Sequence, residues 1–83
     1  MKLTVKLYAT LGNYLPAGSK NNRVELDAAQ GASVSEVLAP FALPPRLTHL
    51  VLVNGVFIPP EERAGSLLKD GDTLAVWPPI AGG

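Results

Sequence analysis

Hydrophobic and polar residues alternate twice early in the chain, and each alternation marks a strand. Leu3, Val5 and Leu7 are interleaved with Lys2, Thr4, Lys6 and Tyr8. A period of two belongs to a half-buried strand, here with its odd residues facing a core. A loop rich in breakers follows: Gly12, Asn13, Pro16, Gly18, Ser19, Asn21 and Asn22. The alternation resumes with Val24 and Leu26 inward and Arg23, Glu25 and Asp27 outward. The pattern predicts two antiparallel strands.

Gly31-Ala32-Ser33 closes this unit, and the period changes. Ser33 and Glu36 fit a capping box, in which each side chain satisfies a backbone N–H at the start of a helix. Val34, Val37, Leu38 and Phe41 then fall at i, i+3, i+4 and i+7, one face of that helix. Pro40 has no N–H to bond back to Glu36, so the last turn should tighten or fray over residues 39–42. Pro44-Pro45 forbids further helix, which leaves a single short one.

Further along, strands return. His49-Leu50-Val51-Leu52-Val53 is apolar without alternation, the pattern of a strand covered on both faces. Asn54-Gly55 suits the two positive-φ positions of a type I′ hairpin turn. Val56-Phe57-Ile58 returns and Pro59-Pro60 ends it. Residues 61–66 read as a connector, from which Leu67 and Leu68 are expected to dip into the core. Asp70-Gly71-Asp72 turns the chain into a last strand, Thr73–Trp77, with Leu74 and Val76 inward. The order strand, strand, helix, strand, short strand, strand predicts an α+β fold. It is a mixed sheet of four to five strands with one main helix packed on one face. With the first and last strands as parallel neighbours in the centre, the architecture is a β-grasp.

Composition contributes exclusions. Hydrophobic residues are 47% of the 83, enough for one domain of this size to bury a core without staples. Cysteine is absent, which removes disulfides, thiolate metal sites and a cysteine nucleophile and fits a cytoplasmic location. Seven basic residues balance seven acidic ones. Lys2, Lys6, Lys20, Arg23, Arg46, Arg63 and Lys69 are scattered along the sequence, which argues against a nucleic-acid surface. Neither a secretory signal nor a membrane-spanning apolar run is expected.

The candidate chemistry sits at the other end, where Gly82-Gly83 follows Pro78-Pro79-Ile80-Ala81. At a glycine usage of ~7%, two final glycines arise by chance about one time in 200. They offer an unhindered carboxylate at the tip of a peptide without side chains. Pro78 and Pro79 hold φ near ~−65°, favour an extended chain and bring no N–H to a sheet ladder. Residues 78–83 are therefore expected to form a flexible tail on a domain spanning residues 1–77. If Leu74 and Val76 face the core, Thr73, Ala75 and Trp77 face the other way. A tryptophan there, beside the tail, reads as an interface anchor. The competing reading is a ring folded over the sheet edge to cover apolar surface. One alternate set of Leu50–Val53 should share that face, and Phe57 can belong to either side.

The segments Asp70-Gly71-Asp72-Thr73-Leu74, Pro78-Pro79-Ile80-Ala81-Gly82-Gly83, Leu52-Val53-Asn54-Gly55 and Val5-Lys6-Leu7-Tyr8-Ala9-Thr10-Leu11 carry a family resemblance. The chain resembles the ubiquitin-like sulfur carriers: the small subunit of molybdopterin synthase (MoaD type) and the thiamine-pathway carrier (ThiS type). The resemblance spans essentially the whole sequence. It implies that a ubiquitin-activating-like adenylyltransferase, using ATP and magnesium, adenylates the Gly83 carboxylate. Sulfur from a persulfide donor then replaces AMP, leaving a thiocarboxylate. The loaded tail next enters a sulfur-accepting enzyme such as the large subunit of molybdopterin synthase. In that scheme Gly83 carries the reacting carbon, and Gly82, Ala81, Ile80, Pro79, Pro78, Trp77 and Ala75 bind partners. No metal and no resident cofactor are implied, and the chain is a cosubstrate, not an enzyme. It lacks a GxxxxGK[ST] phosphate loop of its own.

The roomy first loop, residues 8–18, is closer to the molybdopterin branch. Thiamine or another sulfur pathway is an alternative. So is a protein modifier joined to lysines through Gly83, and a noncovalent adaptor with an incidental terminus is a third reading. The remaining polar residues carry no chemistry in this view. His49 is a strand-terminal residue at the start of its apolar run, Glu61-Glu62-Arg63 is a solvated turn, and Asp70 and Asp72 form a turn. Ser19, Ser33, Ser35 and Ser66 have no histidine in pattern to activate them.

Overall fold

The two early alternations pair with each other. In the computed structural model, which describes residues 1–79, β1 (Lys2–Leu7) runs antiparallel to β2 (Arg23–Asp27). Leu3 stands opposite Leu26 and Val5 opposite Val24. Leu3, Val5 and Leu7 are buried, whereas Val24 and Leu26, on the edge strand, are half-buried.

Helix α1 (Val34–Leu38) starts on the expected capping box. The Glu36 N–H donates to Ser33 Oγ at 3.1 Å, and the Ser33 N–H donates to Glu36 Oε1 at 3.0 Å. Val34, Val37 and Leu38 are buried against the sheet cluster. Pro40 tightens the helix end into a 3-10 turn, Ala39–Phe41, closed by Ala42 at φ 52°.

β3 (Leu50–Val53) and β4 (Val56–Phe57) form the predicted hairpin. Its turn has positive φ at both Asn54 (49°) and Gly55 (84°). β5 (Thr73–Trp77) inserts between β1 and β3, parallel to the first and antiparallel to the second. The strand order β2-β1-β5-β3-β4 is a β-grasp. Asn54 also joins two turns. Its Nδ2 donates to Asp72 Oδ1 at 2.8 Å and its Oδ1 accepts from the Thr73 N–H at 2.9 Å. The hairpin and the start of β5 are thereby held in register.

Four local expectations change. A 3-10 turn, Ala9–Tyr14, occupies the start of the breaker-rich stretch and buries Leu11. Pro45 opens a second 3-10 turn, Pro45–Leu47, because a first helical position needs no N–H and suits the φ of proline. Leu68 is 4% exposed but Leu67 is 63% exposed, since neighbours in an extended segment point to opposite sides. The apolar β3 is not covered on both faces: Val51 is buried, while Leu50 and Leu52 are only half-buried.

Arg63 is the largest surprise in the connector. Glu61 and Glu62 are exposed as expected, yet Arg63 is 8% exposed. Its Nε donates to the Ile58 carbonyl at 3.0 Å, and its two terminal nitrogens donate to the Thr48 and His49 carbonyls at 3.3 Å each. One side chain thus ties the entrance of β3 to the exit of β4. Burial pushes the guanidinium pKa below its ordinary value, with nearby Glu61 acting in the opposite sense, and the group stays charged at neutral pH. Arg63→Ala strands three carbonyls and should cost about 2–4 kcal/mol. Thermal unfolding checks this. Arg63→Lys should recover little, because an ammonium lacks the planar fork.

Candidate docking face and tail exit

α1 and the buried side chains occupy one side of the sheet. On the opposite side the register assembles residues that are far apart in sequence. Trp77 stands opposite Leu50, Ala75 opposite Leu52, and Leu52 opposite Phe57. Leu50 and Leu52 are therefore the set of β3 residues that shares the face of Trp77. Phe57 joins them and is 47% exposed. Ala75 lies on this face but is only 8% exposed, flanked by Lys6 and Leu52. It forms a floor, and the bulkier residues around it are what a partner can reach.

Tyr8 completes the patch. Its N–H donates to the Val76 carbonyl at 3.0 Å, extending the β1–β5 ladder by one residue. Its ring lies flat on that of Trp77, with centroids 4.1 Å apart and planes 3° from parallel. Trp77 is half-buried, neither fully wrapped nor free. The sequence placed Tyr8 merely in an alternation. Its parity with Lys2, Thr4 and Lys6 was the available signal, but the partner ring is set by a strand 69 residues away in sequence (77 − 8 = 69).

The backbone just past Tyr8 is strained. Ala9 has φ 52°, a left-handed conformation costing about 1–2 kcal/mol for a residue with a Cβ. Asn22 holds it: Nδ2 donates to the Leu7 carbonyl at 2.9 Å and to the Ala9 carbonyl at 3.4 Å. Gly12 makes room for that amide, since a Cβ there would come within 2.7 Å of Asn22 Nδ2. Strain held this way tends to sit beside functional surfaces, and here it adjoins the aromatic pair.

The exit follows directly. The His49 N–H donates to the Trp77 carbonyl at 3.2 Å, so β5 is held on the β3 side to its last residue and on the β1 side as far as the Val76 carbonyl. Pro78 is half-buried and Pro79 exposed. Ile80, Ala81, Gly82 and Gly83 lie outside the described residues. Among the described residues, no three His, Cys, Asp or Glu side chains gather to hold a metal ion. No helix there is long and apolar enough to cross a membrane. A groove of about 660 Å³ runs between α1, the end of β2 and residues 14–16. It is mostly apolar, with Asp27 and Glu36 in its lining, and lies on the helix side of the sheet, away from Trp77.

The ThiS family model matches residues 5–83. Among curated proteins none matches. Several solved structures share the fold. SAMP1, the small archaeal modifier protein 1 of Haloferax volcanii, is 28% identical over all of both chains, with a TM-score of 0.69. The thiamine biosynthesis protein ThiS of Geobacter metallireducens is 23% identical over all of both chains, with a TM-score of 0.66. A chain from the complex of subunits 1 and 2 of molybdopterin-converting factor of Helicobacter pylori is 20% identical over all of both chains, with a TM-score of 0.63.

Proposed function

The chain belongs to the ThiS family of ubiquitin-like sulfur carriers, and from that premise we propose that Gly83 carries sulfur as a thiocarboxylate for molybdopterin-type cofactor assembly. Members of this family are small carriers whose catalysis resides in partner enzymes. A carboxylate is a poor electrophile because it is fully charged at neutral pH. In the proposed sequence its oxygen attacks the α-phosphorus of ATP and pyrophosphate leaves, with magnesium and cations of an adenylating partner stabilising the phosphates. The terminal sulfur of a persulfide then attacks the acyl carbon and AMP leaves. A thiol cleaves the resulting acyl disulfide, releasing the thiocarboxylate. The chain is cosubstrate in each step, and residues 78–83 are the segment that reaches the partner's site.

The observation that supports this reading best is the position of Trp77. It ends β5, stacks on Tyr8 within the apolar face, and is followed at once by Pro78 and Pro79. A partner that docks on that face receives whatever follows the prolines. The likeness to SAMP1 supports a second reading, a modifier joined to lysines through Gly83. The likeness to the thiamine protein is one of fold.

Mass spectrometry of the protein from its native cells separates the two. The carrier reading expects free chains in which one oxygen of Gly83 is replaced by sulfur. Branched lysine peptides bearing a Gly-Gly remnant, with no thiocarboxylate, would overturn it in favour of the modifier.

A further inference from the structure

Two of the cations scattered along the sequence meet on the fold. Lys6 of β1 stands directly opposite Arg23 of β2 on the face that bears Trp77. Like charges so placed destabilise an antiparallel pair. The same two strands do the reverse at their other end, where Lys2 opposes Asp27 and the two side chains pair at 3.8 Å. Glu25 shares the face opposite Thr4, but among the described residues the Lys2–Asp27 pair is the one salt bridge. Carboxylates collect at that far end: Asp70 accepts from the Lys2 N–H and Asp72 from the Lys69 N–H. Lys6 and Arg23 stand at the end from which the tail departs. Lys6 is also opposite Ala75, so the cation pair borders the apolar patch.

An arrangement that costs stability in the free chain and adjoins a docking patch has a use in a complex. Resting on the carrier reading above, we propose that the adenylating partner bears carboxylates that meet Lys6 and Arg23 beside an apolar recess for Trp77 and Phe57. Two cations next to a broad apolar patch fit a protein surface, whereas a nucleic acid takes a longer run of positive charge. Complementary rim charges mainly raise the association rate and orient the encounter. Here they set the chain down with its tail toward the partner's ATP site.

The test is ATP–pyrophosphate exchange by the adenylating enzyme of the same source, with the full-length carrier as the varied substrate. Lys6→Glu with Arg23→Glu should raise KM for the carrier about tenfold at low salt and leave kcat within about twofold. Lys6→Gln with Arg23→Gln should fall between the two. Raising salt from about 50 to about 300 mM should raise the wild-type KM and hardly move that of the charge-reversed chain. Lys69→Gln, at the far end, should behave as wild type. Lys6→Gln alone should hold or raise Tm, since it relieves a like-charge pair, whereas a purely structural lysine would lower it. A wild-type chain that is activated, with KM and salt dependence unchanged by reversal, would overturn the assignment of the cations and leave the carrier reading intact. A wild-type chain that is not activated at all would overturn the carrier reading and this inference with it.

Discussion

Gly83→Val is expected to fold and melt like the wild type and to lose loading by at least about 10²-fold. The melting half follows from position: the substitution lies beyond β5, whose ladder to β1 ends at Val76 and whose ladder to β3 ends at Trp77. The loading half follows from chemistry. An acyl adenylate survives only where water is kept out, and a channel narrow enough to do that admits a bare backbone. A branched Cβ next to the reacting carbon adds bulk and stiffens the residue, so the carboxylate oxygen no longer lines up with the α-phosphorus. Appending one residue after Gly83 should be as damaging, because it moves the carboxylate by about 3.4 Å. Pyrophosphate exchange and the mass of the product read both variants. Normal loading of the valine chain would mean that the reacting carbon is not that of Gly83.

Which parts of this molecule can be read from its sequence depends on the range of the interaction. Ser33 with Glu36 and Asn54 with Gly55 are cues within four residues, and the structure has both in the expected geometry. The alternation of β1 and β2 is likewise local. Arg63 is different: its three carbonyl partners belong to Thr48, His49 and Ile58, and no spacing rule links a charged connector to the ends of a hairpin. Tyr8 and Trp77, like Lys6 and Arg23, become neighbours only once strand register is fixed.

β3 shows a subtler limit. Its unbroken apolar run predicts cover on both faces, yet Leu50 and Leu52 face the side bearing Trp77 and Phe57. A sequence encodes the surface a chain buries in its complexes as well as in its own core. Periodicity cannot tell those two kinds of burial apart. Exposure can, and the departure from the expected cover is what outlines the face proposed for docking.

Trp77→Ala should separate the two roles that ring could have. As an anchor, a buried tryptophan at an interface centre is worth about 2 kcal/mol or more, so KM for the carrier in pyrophosphate exchange should rise roughly 30-fold or more, with kcat little changed. Tyr8→Ala removes only the stacking support, about 0.5–1.5 kcal/mol, and should raise KM some two- to tenfold. Tyr8→Phe keeps the flat ring and should match wild type. Because Trp77 is the single tryptophan, its fluorescence reports this pair alone: Tyr8→Ala should shift emission to the red, and Tyr8→Phe should leave it in place. A ring that serves as cover predicts the opposite division, a large fall in Tm for Trp77→Ala with KM unchanged. The half-buried setting of the ring favours the anchor, since an aromatic recruited only to shield the sheet gains most by full burial, and this one leaves part of its surface for a partner beside the start of the tail.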